Sequence, residues 1–198
     1  MLRNLLIIGC LLTTQVSLAQ TSQIKTVITD AENPQEIGAL LPPFLLVTMP
    51  KTVVEYKKKR PKNAEDSSAK TIKKGPVQYI TNKDVQYNAN LFVMFFNPTC
   101  GHCEDMTELL EKHIQYFKKT KVVMVAAPIT RPYMDMFVNG YHTNEYSTLM
   151  VGTDSLNLIG KMFTYKGLPQ INIYDKDRRL LKVFSGDTPL DSLKPYIQ

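Results

Sequence analysis

Apolar residues in this chain gather into short runs with two distinct spacings. "LFVMFF" at 91–96 is a continuous apolar run of aromatic and branched residues, which predicts a strand buried on both faces. Asn97-Pro98-Thr99 ends it. Met106, Leu109, Leu110, His113, Ile114 and Phe117 then recur at steps of three and four, the spacing of a helix with one buried face. "KVVMVAAPI" at 121–129 predicts a second buried strand, and "RPYMDMFVNGY" a helix with Pro132 near its first turn and Gly140 at its end. "STLMVGTD" reads as a short strand and "SLNLIGKMFTY" as a helix. "PQINIYD" and "RLLKVFSG" form a hairpin across the polar "KDR". "TPLDSLKPYI" closes as a helix, with Thr188 as N-cap and Pro189 at its first position. The order from residue 91 is β-α-β-α-β-α-β-β-α. It predicts an α/β fold: a central, mainly parallel sheet with a C-terminal antiparallel hairpin and helices on both faces.

The first ninety residues are less regular. "MLRNLLIIGCLLTTQVSLAQ" has a basic start at Arg3, an apolar run and small residues before Gln20, the pattern of a secretory signal over 1–19. The Gly before Cys10 also admits a lipoprotein signal, with Cys10 as the anchor. Residues 20–39 read as a polar leader, and "PPFLLVTM" and "TVVEY" as a hairpin around Pro50-Lys51. Residues 57–75 lack apolar periodicity and read as a mobile connection. The expected divisions are therefore 1–19, a leader and β extension with a basic loop over 20–75, and the main domain over 76–198.

Composition narrows the classes. Of the 198 residues 43% are apolar, enough for a core and too few for a polytopic membrane protein. The net charge is +6, and basic residues cluster in "YKKKRPK" at 56–62 and at Lys70, Lys73 and Lys74. Such a run is either a solvated loop or a contact for anionic lipid or an acidic partner, and no nucleic-acid motif accompanies it.

Removal of the signal leaves two of three cysteines, Cys100 and Cys103, in "NPTCGHCEDM". A bridge closing so short a loop gains little chain entropy, which favours a chemical role over a structural one. Covalent haem attachment requires His after the second cysteine, and Glu104 stands there. A zinc site would need two of His102, His113 and His142, and His102 lies inside the pair. A redox pair suits the setting. Cys100 follows a buried strand and opens a helix, where free N–H groups and the dipole favour a thiolate, and Cys103 lies one turn on. The His102 imidazole beside that thiolate would favour the reduced form.

Buried strand, Cys-Gly-His-Cys, helix and a later "GLP" before a strand resemble the thioredoxin superfamily. The extra β-α segment before "GLPQ" and the "LPPFLL" stretch are similar to its TlpA/ResA-like, peroxiredoxin-related branch of exported thiol–disulfide oxidoreductases. The resemblance covers about residues 40–198. It implies Cys100 as attacking thiol, Cys103 as resolving thiol and Pro169 as a cis-proline beside them, with Gly101 and Leu168 meeting the substrate. It also implies no cofactor beyond a Cys100–Cys103 disulfide, protein thiols and disulfides as partners, no transmembrane span in the mature chain, and a periplasmic location.

There are departures from the family pattern. Thr99 replaces the usual aromatic residue, Met94 and Met106 occupy the two positions where relatives carry a proton-relaying carboxylate, and Glu108 stands at the kink proline. Glu104 and Asp105 are expected to face solvent, His113 to be a core histidine, and Met134 and Met136 to pack. His142 falls in the polar loop "GYHTNEY". The rival reading is a thioredoxin-like binding protein that holds a partner or a soft metal through the pair without turnover.

Overall fold

The computed structural model describes residues 33–50, 52–56 and 70–198. The signal segment with Cys10, the leader up to residue 32 and the basic run at 57–62 lie outside the described residues. Among the described residues there are nine strands: β1 (Leu45–Thr48), β2 (Thr52–Tyr56), β3 (Lys70–Lys74), β4 (Tyr79–Thr81), β5 (Leu91–Phe96), β6 (Lys121–Ala126), β7 (Leu149–Asp154), β8 (Gln170–Tyr174) and β9 (Leu180–Ser185). The α-helices are α1 (Gly101–Lys112), α2 (Arg131–Gly140), α3 (Leu158–Met162) and α4 (Leu190–Leu193). Seven strands form one sheet in the order β4-β1-β7-β6-β5-β8-β9.

The apolar run at 91–96 forms β5, and all six of its residues are buried. Alternation along the strand sends Phe92, Met94 and Phe96 to one face and Leu91, Val93 and Phe95 to the other. On the first face α1 contributes Met106 and Leu110, α2 contributes Met134, Phe137 and Val138, and α4 contributes Leu193. On the second, α3 contributes Ile159, with Phe163, Leu46 and Leu180 beside it. Each such side chain adds roughly 1.5–3 kcal/mol of burial free energy. Two buried faces explain why β5 is continuously apolar rather than alternating.

Several expectations need correction. The sheet is parallel only where β5, β6 and β7 meet; β1, β4, β8 and β9 pair antiparallel. The hairpin between "PPFLLVTM" and "TVVEY" does not form. β1 lies between β4 and β7, whereas β2 pairs with β3 in a separate two-stranded sheet. Burial is the reason: Leu46 is completely inaccessible within the main sheet, and a surface hairpin would leave it in water. Gly152 of β7 permits the close fit, since a Cβ there would lie 3.0 Å from the Leu46 Cβ and from the Val47 carbonyl oxygen. Within 57–75, Lys70–Lys74 is strand rather than connection. The boundary drawn at residue 76 separates β1 from the sheet it belongs to. The last helix is a single turn, and Pro189 is its N-cap rather than its first residue.

Candidate active site

The two cysteines sit where β5 hands over to α1. Asn97 makes the turn: its Oδ1 accepts from the Thr99 N–H at 3.0 Å and the Thr99 hydroxyl at 2.9 Å, and its carbonyl accepts from the Cys100 N–H at 3.1 Å. An Asx turn of this kind ends a strand without wasting backbone hydrogen bonds. Cys100 is the N-cap of α1, extended at φ −105° and ψ 118°, and its carbonyl accepts from the Cys103 and Glu104 N–H groups. It is half-buried, and Cys103 is fully buried; both are free thiols here.

Cys103 is held from both sides of the peptide chain. The Asn97 N–H points at its Sγ from 3.5 Å, and the Thr107 hydroxyl donates to its carbonyl at 2.8 Å. Burial pushes the Cys103 thiol up to about 12; the Asn97 N–H opposes this, while Cys100 and the Glu104 carboxylate add to it. Cys103 is therefore a protonated thiol at neutral pH, with Cys100 the more accessible of the two.

His102 turns toward the β9–α4 loop, where its Nδ1 lies 2.9 Å from Oδ1 of Asp187. The same loop reaches Pro169, because the Gly186 N–H donates to the Pro169 carbonyl at 2.8 Å. The Leu168-Pro169 bond is cis. Pro169 is buried, and Leu168 packs against the same core cluster as Cys100. The cysteine turn, the Leu168-Pro169 step and the Gly186-Asp187 loop thus form one side of the molecule. Gly101, the first residue of α1, is exposed, and a Cβ there would meet nothing within 4 Å.

Other candidates lie apart or differ from expectation. Met94 and Met106, at the relay positions, are buried in the core below the pair. Asp105 is exposed, but Glu104 is only half-exposed. Its charge is felt by the Tyr141 hydroxyl, whose titration moves upward through burial first and the Glu104 charge next. Glu104 is thus a carboxylate beside Cys103 that helical position alone did not reveal. His113 is the half-buried C-cap of α1, with its ring stacked on Tyr116, rather than a core residue. His142 adopts a left-handed conformation at φ 47°, 3.4 Å from Glu145. Met134 packs in the core, but Met136 is 66% exposed, because it lies on the outer side of α2. Among the described residues no group of three or more His, Cys, Asp and Glu side chains gathers as a metal site. No helix among them is long and apolar enough to cross a membrane. Sequence reasoning missed Asp187, since it stands 85 residues from His102 and only the fold joins them.

Comparison with solved structures identifies the architecture. The thioredoxin domain of a thiol–disulfide oxidoreductase from Bacteroides vulgatus superposes with a TM-score of 0.52 at 12% identity, over 81% of this chain and 94% of that one. A secreted disulfide oxidoreductase of Mycobacterium tuberculosis superposes with a TM-score of 0.50 at 16% identity, over 60% and 86%. The fold is thioredoxin-like. At these identities the likeness is one of fold. No family model matches the chain, and no curated protein matches it.

Proposed function

We propose that this chain is a thiol–disulfide oxidoreductase that exchanges disulfides with protein partners through Cys100 and Cys103, with no cofactor beyond that pair. The observation that carries the reading is the asymmetry of the two thiols. One is accessible at a helix N-cap, and the other is one turn behind it, inaccessible and held as a neutral thiol. The arrangement sets an attacking thiol in front of a resolving one. It suits sequential exchange.

In the reducing direction the Cys100 thiolate attacks one sulfur of a partner disulfide. A Cys100–partner S–S bond forms, the partner S–S bond breaks, and the other partner sulfur leaves as a thiolate and takes up a proton. Cys103 then loses its proton and attacks Cys100 Sγ. The mixed disulfide breaks, the partner leaves with its second thiol, and a Cys100–Cys103 disulfide remains. Two electrons have passed to the partner; the reverse sequence oxidises it. Water or Glu104 takes the Cys103 proton, as the family's usual relay positions hold methionine. Pro169 and Leu168 lie on the substrate side of the pair, where the Leu168 backbone pairs with an extended partner segment. His102 tunes the couple from the far side of the turn. Gly101, with no side chain, leaves room for the partner backbone.

The signal-like residues 1–19 support export to the periplasm, and the basic run at 57–62 supports contact with a membrane surface. The test is multiple turnover: the wild-type chain with excess reductant should reduce many equivalents of a protein disulfide. Stoichiometric capture of one partner per chain, with no release, would instead establish a binding protein.

A further inference from the structure

On the α3 side of the sheet a crevice of about 190 Å³ opens at the carboxyl ends of β5, β6 and β7. Crevices at that edge of parallel strands are where open α/β sheets bind ligands. Its lining includes Asn97 and Leu168, so it adjoins the turn that leads into the cysteine pair. Its walls are mainly apolar, with Phe95 and Ile159 inside and Ile129, 84% exposed, at the rim.

One lining residue carries a carboxylate. Asp154, the last residue of β7, is 2% exposed. Its Oδ2 accepts from the Ile159 N–H at 2.7 Å, but its Oδ1 is buried with no hydrogen-bond partner among the described residues. Among the described residues no cation lines the crevice; the side chain there that feels the Asp154 charge is the Tyr165 phenol, which makes no hydrogen bond to Oδ1. A buried carboxylate oxygen without a partner is costly, and the cost is recovered when a donor arrives. Thr130 and Asn157 also line the crevice and offer further acceptor oxygens.

We propose that this crevice receives a lysine side chain of the disulfide-bearing partner, with the ammonium on Asp154. The proposal rests on the redox reading above and adds a selectivity to it. The methylene stem lies along the apolar walls, and the three N–H groups find Asp154, Thr130 and Asn157. The space equals about six waters at roughly 30 Å³ each, enough for one unbranched side chain and its compact head. The planar fork of arginine fits such a narrow pocket less well.

The test uses peptide–glutathione mixed disulfides in an alanine-rich host. Lysine is walked through the two positions on each side of the cysteine, each peptide against its norleucine twin, and the pre-reduced protein is followed in single turnover. At one position the lysine peptide should react about tenfold faster than its twin, as expected for a hydrogen bond to a buried charge. The preference should persist in high salt, which would erase attraction by the exposed acids of α1. In Asp154→Asn, which keeps an acceptor for the Ile159 N–H, the lysine-to-norleucine ratio should fall to within about twofold, about what the lost charge-assisted bond allows. Ala127→Phe, which narrows the crevice from its rim, should lower the same ratio. Equal rates for both twins at every position, or a preference that survives in Asp154→Asn, would overturn the crevice alone. Failure of the reduced pair to react with any of the mixed disulfides would overturn the redox reading and this proposal together.

Discussion

His102 Nδ1 and Asp187 Oδ1 lie 2.9 Å apart, and this contact ties the middle of the Cys-Gly-His-Cys turn to the loop after β9. Both side chains are about two-thirds exposed. The ring is therefore drawn toward Asp187. Residues two apart at a helix start do not face one another, so nothing in the helix itself directs His102 back to Cys100.

This pair should move the potential of the couple in opposite directions depending on which partner is removed. His102→Ala removes a group that supports the thiolate, and the potential should fall. Asp187→Ala removes a negative charge and frees the ring to approach Cys100, and the potential should rise. An exposed ion pair is worth about 0–1 kcal/mol, which bounds the Asp187 effect at roughly 20 mV, and 1 M salt should erase most of it. Equilibration against glutathione buffers measures both shifts. Shifts of the same sign would show that the two residues do not act through each other.

The raised titration of Cys103 sets the pH dependence of resolution. Below about 12 the folded protein keeps this thiol protonated, and only the thiolate attacks. The rate at which Cys103 displaces a small thiol from a preformed Cys100 mixed disulfide should climb about tenfold per pH unit between pH 7 and 9. The linkage to stability has the same origin. Above the ordinary cysteine value of about 8.5 the unfolded chain loses the proton while the folded chain keeps it, so stability declines as pH rises from there toward 12. A flat rate profile would mean that Cys103 is already ionised.

Asn97→Ala should loosen the turn that presents Cys100. It deletes the acceptor of the Thr99 N–H and hydroxyl, for a loss of about 1 kcal/mol in denaturant unfolding. The alkylation rate of Cys100 should change with it, whereas a purely structural role would leave that rate alone.

Legibility from sequence followed burial. β5 and α1 were readable because one is apolar at every position and the other at every third or fourth, and each property belongs to a single segment. β1 was misread because its partner was chosen by the buried Leu46 and by the space beside Gly152, neither visible as a local pattern. The cysteines were legible as chemistry because two thiols remain and they stand three apart. Asp187, Glu104 and Asp154 were not: their roles depend on what the fold places opposite them.

Arg178 illustrates the same limit. It sits in the tight turn between β8 and β9 at φ 62°, and its guanidinium donates to the Val85, Tyr87, Ala89 and Asp175 carbonyls while stacking 4.6 Å from the Tyr87 ring. It fastens the segment leading into β5. Arg178→Ala should cost about 2–4 kcal/mol, the range for stranding several buried acceptors, and Arg178→Lys should restore little because one ammonium cannot span four carbonyls. Chemical denaturation of the three proteins decides it.

Cys100 and Cys103 should form one reversible redox couple. The direct measurement is a titration of the purified chain across glutathione buffers, quenched by alkylation and read by mass. The expected result is a single two-electron transition, with an intramolecular Cys100–Cys103 disulfide on the oxidised side and Cys100 alkylated first on the reduced side. Absence of any transition, or oxidation only to disulfides between chains, would contradict it.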